Sequence, residues 1–227
     1  MDIRQRAGEL IAAIGSAGVL LISAIYASAP PEAVTPLPEG FALEATFKAS
    51  RTAAMRLQTA GTVGLVADIL LIGGCAVLAM RAGSSLGQRL FWIWIGASTA
   101  IFVVVDGLAG EVMPSLLQSG DLATYRLARV AFDLAFVIGD ATFGAGLIAA
   151  WFAKSDWAVW LRSLALLGGL IAELAFVLRL AGQTIPMLFG ASVGLAAVVG
   201  LLCACSELIR ADPIAPAARP AATAEFA

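Results

Sequence analysis

Residues 60–80 read AGTVGLVADILLIGGCAVLAM, a run of 21 residues broken by one charge, Asp68. A helix of this length rises about 30 Å at 1.5 Å per residue, the thickness of a bilayer's hydrocarbon core. Runs of similar length recur on both sides of it. Six are predicted to cross a membrane: Leu10–Ala27, Ala60–Met80, Leu90–Val112, Val130–Phe152, Val159–Leu180 and Ile185–Ile209. They are too long and continuous for barrel strands, and unsatisfied backbone groups are prohibitive in lipid, so each is expected to be a helix. The fold class that follows is all-α: one polytopic six-helix membrane bundle over residues 1–210, with a disordered cytoplasmic tail over 211–227.

Composition agrees with that reading. Of 227 residues, 60% are hydrophobic and 13% are charged, where a soluble domain has about 25% charged residues. There is no histidine, which excludes His-ligated haem, the common zinc hydrolase sites and Ser-His-Asp nucleophiles. No metal site or cofactor is expected. The only lysines, Lys48 and Lys154, lie outside the apolar runs, so a buried retinal Schiff base is excluded too. A net charge of −2 gives no case for nucleic acid. Cys203 and Cys205 would lie about 200° apart on a helix, so they and Cys75 read as packing residues.

The first segment follows Arg4 and Arg6 and precedes Ala27-Ser28-Ala29, an arrangement that imitates a secretory signal. Its length, Glu9 within it and Pro30-Pro31 after it argue for a retained helix. One long outer loop follows, over residues 28–59. Its stretch with Pro30, Pro31, Pro36 and Pro38 is predicted to be extended. Phe41 to Gln58, which alternates apolar and charged residues, is predicted to be an interfacial helix or an extension of the second span.

With the N-terminus inside, eight Lys and Arg residues fall on the cytoplasmic side and six outside. The short basic loops between spans two and three and between four and five strengthen that orientation. It places all five tryptophans at the cytoplasmic interface and Tyr26 and Tyr125 at the other. The expected location is a bacterial inner membrane with both termini cytoplasmic.

Two halves of the chain also align in order. Residues 9–17, ELIAAIGSA, match 133–141, DLAFVIGDA; 64–69, GLVADI, match 169–174, GLIAEL; and Gly-Ala-Ser recurs at 96–98 and 190–192. Three helices per half gives halves of opposite orientation, a 3+3 inverted repeat of the transporter kind.

An acid at a helix centre costs about 2.5–3.5 kcal/mol on insertion scales, so ionisable residues inside the spans should face one another or a wet cavity. Within the spans these are Asp68, Asp106, Glu111, Asp133, Asp140, Glu173 and Arg179, with Arg129 and Arg162 near helix starts; the candidate pathway is Asp68, Asp106, Asp133, Asp140, Glu173, Arg129 and Arg179. Arg129 and Asp133 are four residues apart and can pair along one helix; Asp133 and Asp140 share a face. Together they predict an outward-facing, carboxylate-lined vestibule for protons or a small cationic solute. The opposing expectation is a set of Arg-carboxylate pairs that fixes helix register in an accessory or scaffold subunit of a membrane complex. Beyond lipid, a homo- or hetero-oligomeric partner fits either. Enzyme motifs are incomplete. Val137-Ile138-Gly139-Asp140 lacks the first glycine of an intramembrane aspartyl protease, and Asp106-Gly107 does not continue as a CDP-alcohol phosphotransferase would. The expectation is a protein that is not an enzyme.

The basic start, the long loop, a second span opening with Met55-Arg56-Leu57 and carrying Asp68, and the junction 152–161, FAKSDWAVWL, are similar to a bacterial six-helix membrane family catalogued as domain of unknown function 4386. The likeness runs from Arg6 to Ile209. It implies an integral membrane protein and supplies no catalytic residues.

Overall fold

The computed structural model describes residues 6–34, 36–37, 42–81, 84–154 and 156–210. All regular structure among them is helical. Six helices are long and apolar enough to cross a membrane: α1 (Ala7–Ala27), α4 (Ala54–Met80), α5 (Leu86–Gly107) with its continuation, α7 (Leu122–Ala150), α8 (Val159–Leu180) and α9 (Pro186–Arg210). The third span continues from α5 through a π-helical turn, Leu108–Val112, into α6 (Met113–Ser119). Two short helices, α2 (Pro31–Val34) and α3 (Leu43–Thr52), lie between α1 and α4. The predicted tail, 211–227, lies outside the described residues.

The spans form a ring in chain order: each packs on the next, α9 closes onto α1, and α7 also touches α9. In lipid, apolar burial does not drive helices together, so close backbone approach has to. Gly15 on α1 lies against the Leu71 backbone, where a Cβ would come within 2.6 Å of the amide nitrogen, and Gly74 lies against Ala12 in the same way at 2.5 Å. Leu21, Val66, Ile69, Leu134, Leu174 and Val177 point outward and are exposed, while Asp68, Asp106, Asp133 and Asp140 are buried. The intramembrane acids are thus turned inward and these large apolar side chains outward, as a lipid solvent requires.

Several boundaries differ from the sequence reading. The second span starts at Ala54 rather than Ala60, the third runs to Ser119 rather than Val112, and the fourth starts at Leu122 rather than Val130. Apolar windows stop at the first cluster of polar residues, whereas the helices run on through Arg56, Gln118 and Arg126. The break between α6 and α7 is local: Gly120 takes φ 76°, which favours glycine, and Asp121 caps α7 by accepting from the Thr124 amide at 3.0 Å and its hydroxyl at 2.6 Å. Those two bonds, the hydroxyl first, hold the Asp121 carboxyl below the usual carboxylate range.

The Pro-rich stretch is not simply extended. Pro31 opens the single turn α2, because proline's fixed φ suits the first helical position. Pro38 lies outside the described residues. The stretch of alternating apolar and charged residues forms a separate helix, α3, and also an extension of span two, the first turns of α4. The tryptophans sit at the start of α5, just after α7 and at the start of α8, and they differ in burial there. Trp94 and Trp160 are exposed, but Trp92 and Trp157 are buried and pack edge-on with Phe91 at 4.7 and 4.9 Å.

The matched repeat segments make different contacts. Ser98 donates to the Gly139 carbonyl at 2.6 Å, while Ser192 reaches the Asp140 carboxylate.

At the end of the bundle holding the start of α1 and the end of α9, Arg81 lies between Glu9 at 2.9 Å and Glu207 at 3.3 Å. Trp157 Nε1 donates to Glu207 at 3.0 Å, so this network joins α1, α4, α9 and the approach to α8.

Candidate functional site

The helical repeat brings five spans to one small cavity. On α1 the residues Val19, Ile22, Ser23 and Tyr26 recur at the spacing of one face, and on α5 Phe102, Val105 and Asp106 do the same. Asp68 enters from α4, Phe136 and Phe143 from α7, and Val193 from α9. The cavity has a volume of about 40 Å³, room for two or three waters at roughly 10–15 Å³ each. A second chamber of about 130 Å³ adjoins it toward the α2 end of the bundle, sharing Ser23, Tyr26, Phe136 and Val193 and adding Ala27, Val34 and Gly190.

Within the cavity the two carboxyl groups lie side by side. Gly64, one turn before Asp68, leaves a notch in α4: a Cβ there would lie 1.8 Å from Asp106 Oδ2. Asp106 fills that notch, within hydrogen-bonding reach of Asp68. Tyr26 donates its hydroxyl to Asp106 Oδ1 at 2.9 Å. Asp68 is 2% exposed, and its Oδ2 has no hydrogen-bond partner among the described residues. No Lys or Arg lines either chamber.

The backbone holds this geometry. A Cβ on Gly61 would come within 2.3 Å of the Gly110 amide nitrogen and 2.5 Å of the Asp106 carbonyl oxygen, so α4 rests directly on the chain that carries Asp106. The π-helical turn begins two residues after Asp106. Such turns add one residue to a helix and recur where a side chain must be re-aimed.

The other predicted site residues lie elsewhere. Arg129, fully buried, pairs with Asp133 at 3.2 Å, lies over the Phe132 ring at 4.9 Å and donates to the Ala33 carbonyl at 2.5 Å. Asp133 Oδ2 accepts from the Leu37 amide at 3.4 Å. The pair therefore fastens the loop between α2 and α3 onto α7. Arg56 donates to the Ser28 carbonyl beside it. Asp140 meets the Ser192 hydroxyl, 2.7 and 2.8 Å from its two oxygens. Glu173 is half-buried near Gly144, and Arg179 donates to Thr184 at 2.9 Å. Glu111, in the π-helical turn, is exposed. Thus the seven residues assigned to one vestibule divide: Asp68 and Asp106 meet in the cavity, Arg129 and Asp133 pair along α7 as their spacing predicts, and Asp140, Glu173 and Arg179 do not line the cavity.

Two tyrosines refine the sequence reading. Both sit in the terminal turn of a span, as expected, but their hydroxyls are engaged inside the bundle: Tyr26 holds Asp106, and Tyr125 is buried, bonded to Ser50 at 2.7 Å and edge-on to Phe47. A phenol facing apolar surroundings needs a partner for its hydroxyl, and both find one inside. Sequence reasoning also missed Ser192 and the pairing of Gly64 with Asp106. One signal was available: Ser16, Ser23 and Tyr26, the polar residues in the body of the first span, lie near one side of that helix.

Among the described residues no group of three or more Cys, Asp or Glu is placed to hold a metal ion. The fold and cavity define a multi-pass helical membrane protein with a buried carboxyl pair. Comparison with protein-family models, curated proteins and solved structures finds no match to this chain.

Proposed function

We propose that the protein is a proton-coupled small-solute transporter or sensor of a bacterial inner membrane, with Asp68 and Asp106 as its proton site. The observation that carries this reading is the carboxyl pair in an apolar cavity without a basic neighbour. Two adjacent carboxylates cannot both hold a charge cheaply in such surroundings, so the pair shares a proton. The groups facing it are Tyr26 from α1 and apolar side chains from α7 and α9. Tyr26 donates to Asp106 whether or not that proton is present, and so fixes the carboxyl's orientation. The larger chamber, bounded by Val34, supplies a route from the outer loop, which is outside if the basic termini are cytoplasmic. This role is not enzymatic.

Charge pairs at both ends of the bundle, Arg129–Asp133 and Arg81 with Glu9 and Glu207, favour a second reading as an accessory subunit whose charges only fix helix positions. An acid pulse applied to proteoliposomes with a trapped pH dye separates the two. The wild type and Glu111→Gln are expected to pass protons or, for a sensor, to show a titrating carboxyl signal; Asp68→Asn and Asp106→Asn are expected to insert normally and lose it. Equal responses from all four proteins would support the accessory reading.

A further inference from the structure

We infer that the two chambers form a binding site for a small primary alkylammonium ion, its nitrogen between Asp68 and Asp106 and its alkyl chain along Phe136 into the larger chamber. This deepens the proton-site reading and rests on it.

Four observations converge. First, Asp68 Oδ2 is buried, faces the cavity and has no partner among the described residues, so it calls for a donor. A primary ammonium carries three N–H donors, one for Asp68 and another for Asp106. Second, the walls are aromatic: Phe102 stacks on Phe143 at 5.1 Å and meets Phe136 edge-on at 5.5 Å. Aromatic faces attract a desolvated cation. Third, the larger chamber, about 130 Å³, exceeds what a proton needs. Ala27, Val34, Phe136 and Val193 give it walls suited to a short alkyl chain. Fourth, the donor set is small for a divalent cation: no third Asp, Glu or Cys joins the pair among the described residues, and two carboxyls and one phenol do not by themselves supply the six to eight oxygens that calcium takes.

Charge balances for the exchange. The pair with its shared proton carries one negative charge. When an alkylammonium enters, that proton leaves, and two carboxylates with one cation again carry one negative charge. The exchange is one for one, and the charge within the cavity does not change. The titratable groups facing it are Tyr26 on α1, Asp68 on α4 and Asp106 on α5; α7 and α9 contribute apolar side chains.

The test is calorimetry of n-butylammonium binding to the full chain in lipid nanodiscs, in two buffers of different ionisation enthalpy. Saturable binding with release of one proton is expected. Asp68→Asn should abolish it, Glu111→Gln should leave it intact, and Phe136→Leu should weaken it severalfold, because the alkyl chain loses the aromatic wall it lies along. n-Butanol, the same chain without charge, should not bind, and tetramethylammonium, which lacks N–H donors, should bind more weakly. The proposal is overturned if n-butanol binds as well as the amine. It is also overturned if no saturable amine binding is found while the wild type shows a shared carboxyl proton that Asp68→Asn removes; that outcome leaves the proton site standing. Absence of both the binding and the proton overturns the site altogether.

Discussion

Replacing Gly64 by alanine probes the carboxyl pair without touching either acid. The added Cβ would lie 1.8 Å from Asp106 Oδ2 and 2.4 Å from its Cγ. A C···O contact settles at about 3.3 Å or more, so that oxygen must retreat by about 1.5 Å. Because Cγ is also too close, the whole carboxyl has to shift, and with it Oδ1, which now accepts from Tyr26 at 2.9 Å; a shift of about 1 Å is expected to break that bond. Loss of one buried bond to a carboxyl costs about 1.5–3 kcal/mol. A proper control lies on the same helix: Gly73 has nothing within 4 Å of its added Cβ. Gly73→Ala gains helix propensity, up to about 1 kcal/mol, at no steric cost. Thermal unfolding of the two variants in one detergent should therefore diverge, with Gly64→Ala less stable than wild type by about 0.5–2 kcal/mol after the same propensity gain. Gly73→Ala should match or exceed wild type. Equal melting temperatures for the two variants would refute the placement of Asp106 in the Gly64 notch.

Arg129→Gln leaves Asp133 buried without its cation, and a cost of about 3–5 kcal/mol is expected; limited proteolysis should then cleave the loop near Leu37 faster, and Arg129→Met with Asp133→Leu should recover most of the stability. Ser192→Ala removes the hydroxyl from the buried Asp140 carboxylate and should cost about 1.5–3 kcal/mol in thermal unfolding, with Ser192→Thr retaining most of the wild-type value. Arg81→Gln leaves the buried Glu9 and Glu207 without their shared cation and is expected to cost about 1–3 kcal/mol in thermal unfolding, less than Arg129→Gln because Arg81 itself is part-exposed.

The number of spans was legible because span length and apolarity are properties of a single stretch of chain. Their ends were not. Arg56, Gln118 and Arg126 stop an apolar window but not a helix, whose backbone bonds continue where side chains reach the interface. The acids of the site were legible for a similar reason, since a charge within an apolar run is conspicuous. What each acid does depends on helix rotation and on which helix stands opposite. The sequence placed Asp133 and Asp140 on one face of the fourth span, and both are buried there. Yet Asp133 binds Arg129 and the loop, while Asp140 meets a serine 52 residues away. Tyr26 looked like an interfacial anchor because it lies at the end of its span; only the position of Asp106, 80 residues on, shows that it points inward. Gly64 was visible as a small residue near Asp68, but its notch exists only against α5.

The central claim is that Asp68 and Asp106 share one proton in the folded protein. Infrared spectroscopy of the carboxyl C=O stretch in nanodiscs tests it most directly, with Asp68→Asn, Asp106→Asn and Glu111→Gln measured beside the wild type. The account predicts a protonated-carboxyl band at neutral pH that both Asp variants lose or shift and Glu111→Gln keeps. A wild-type spectrum without that band, or one that neither Asp variant alters, would contradict it.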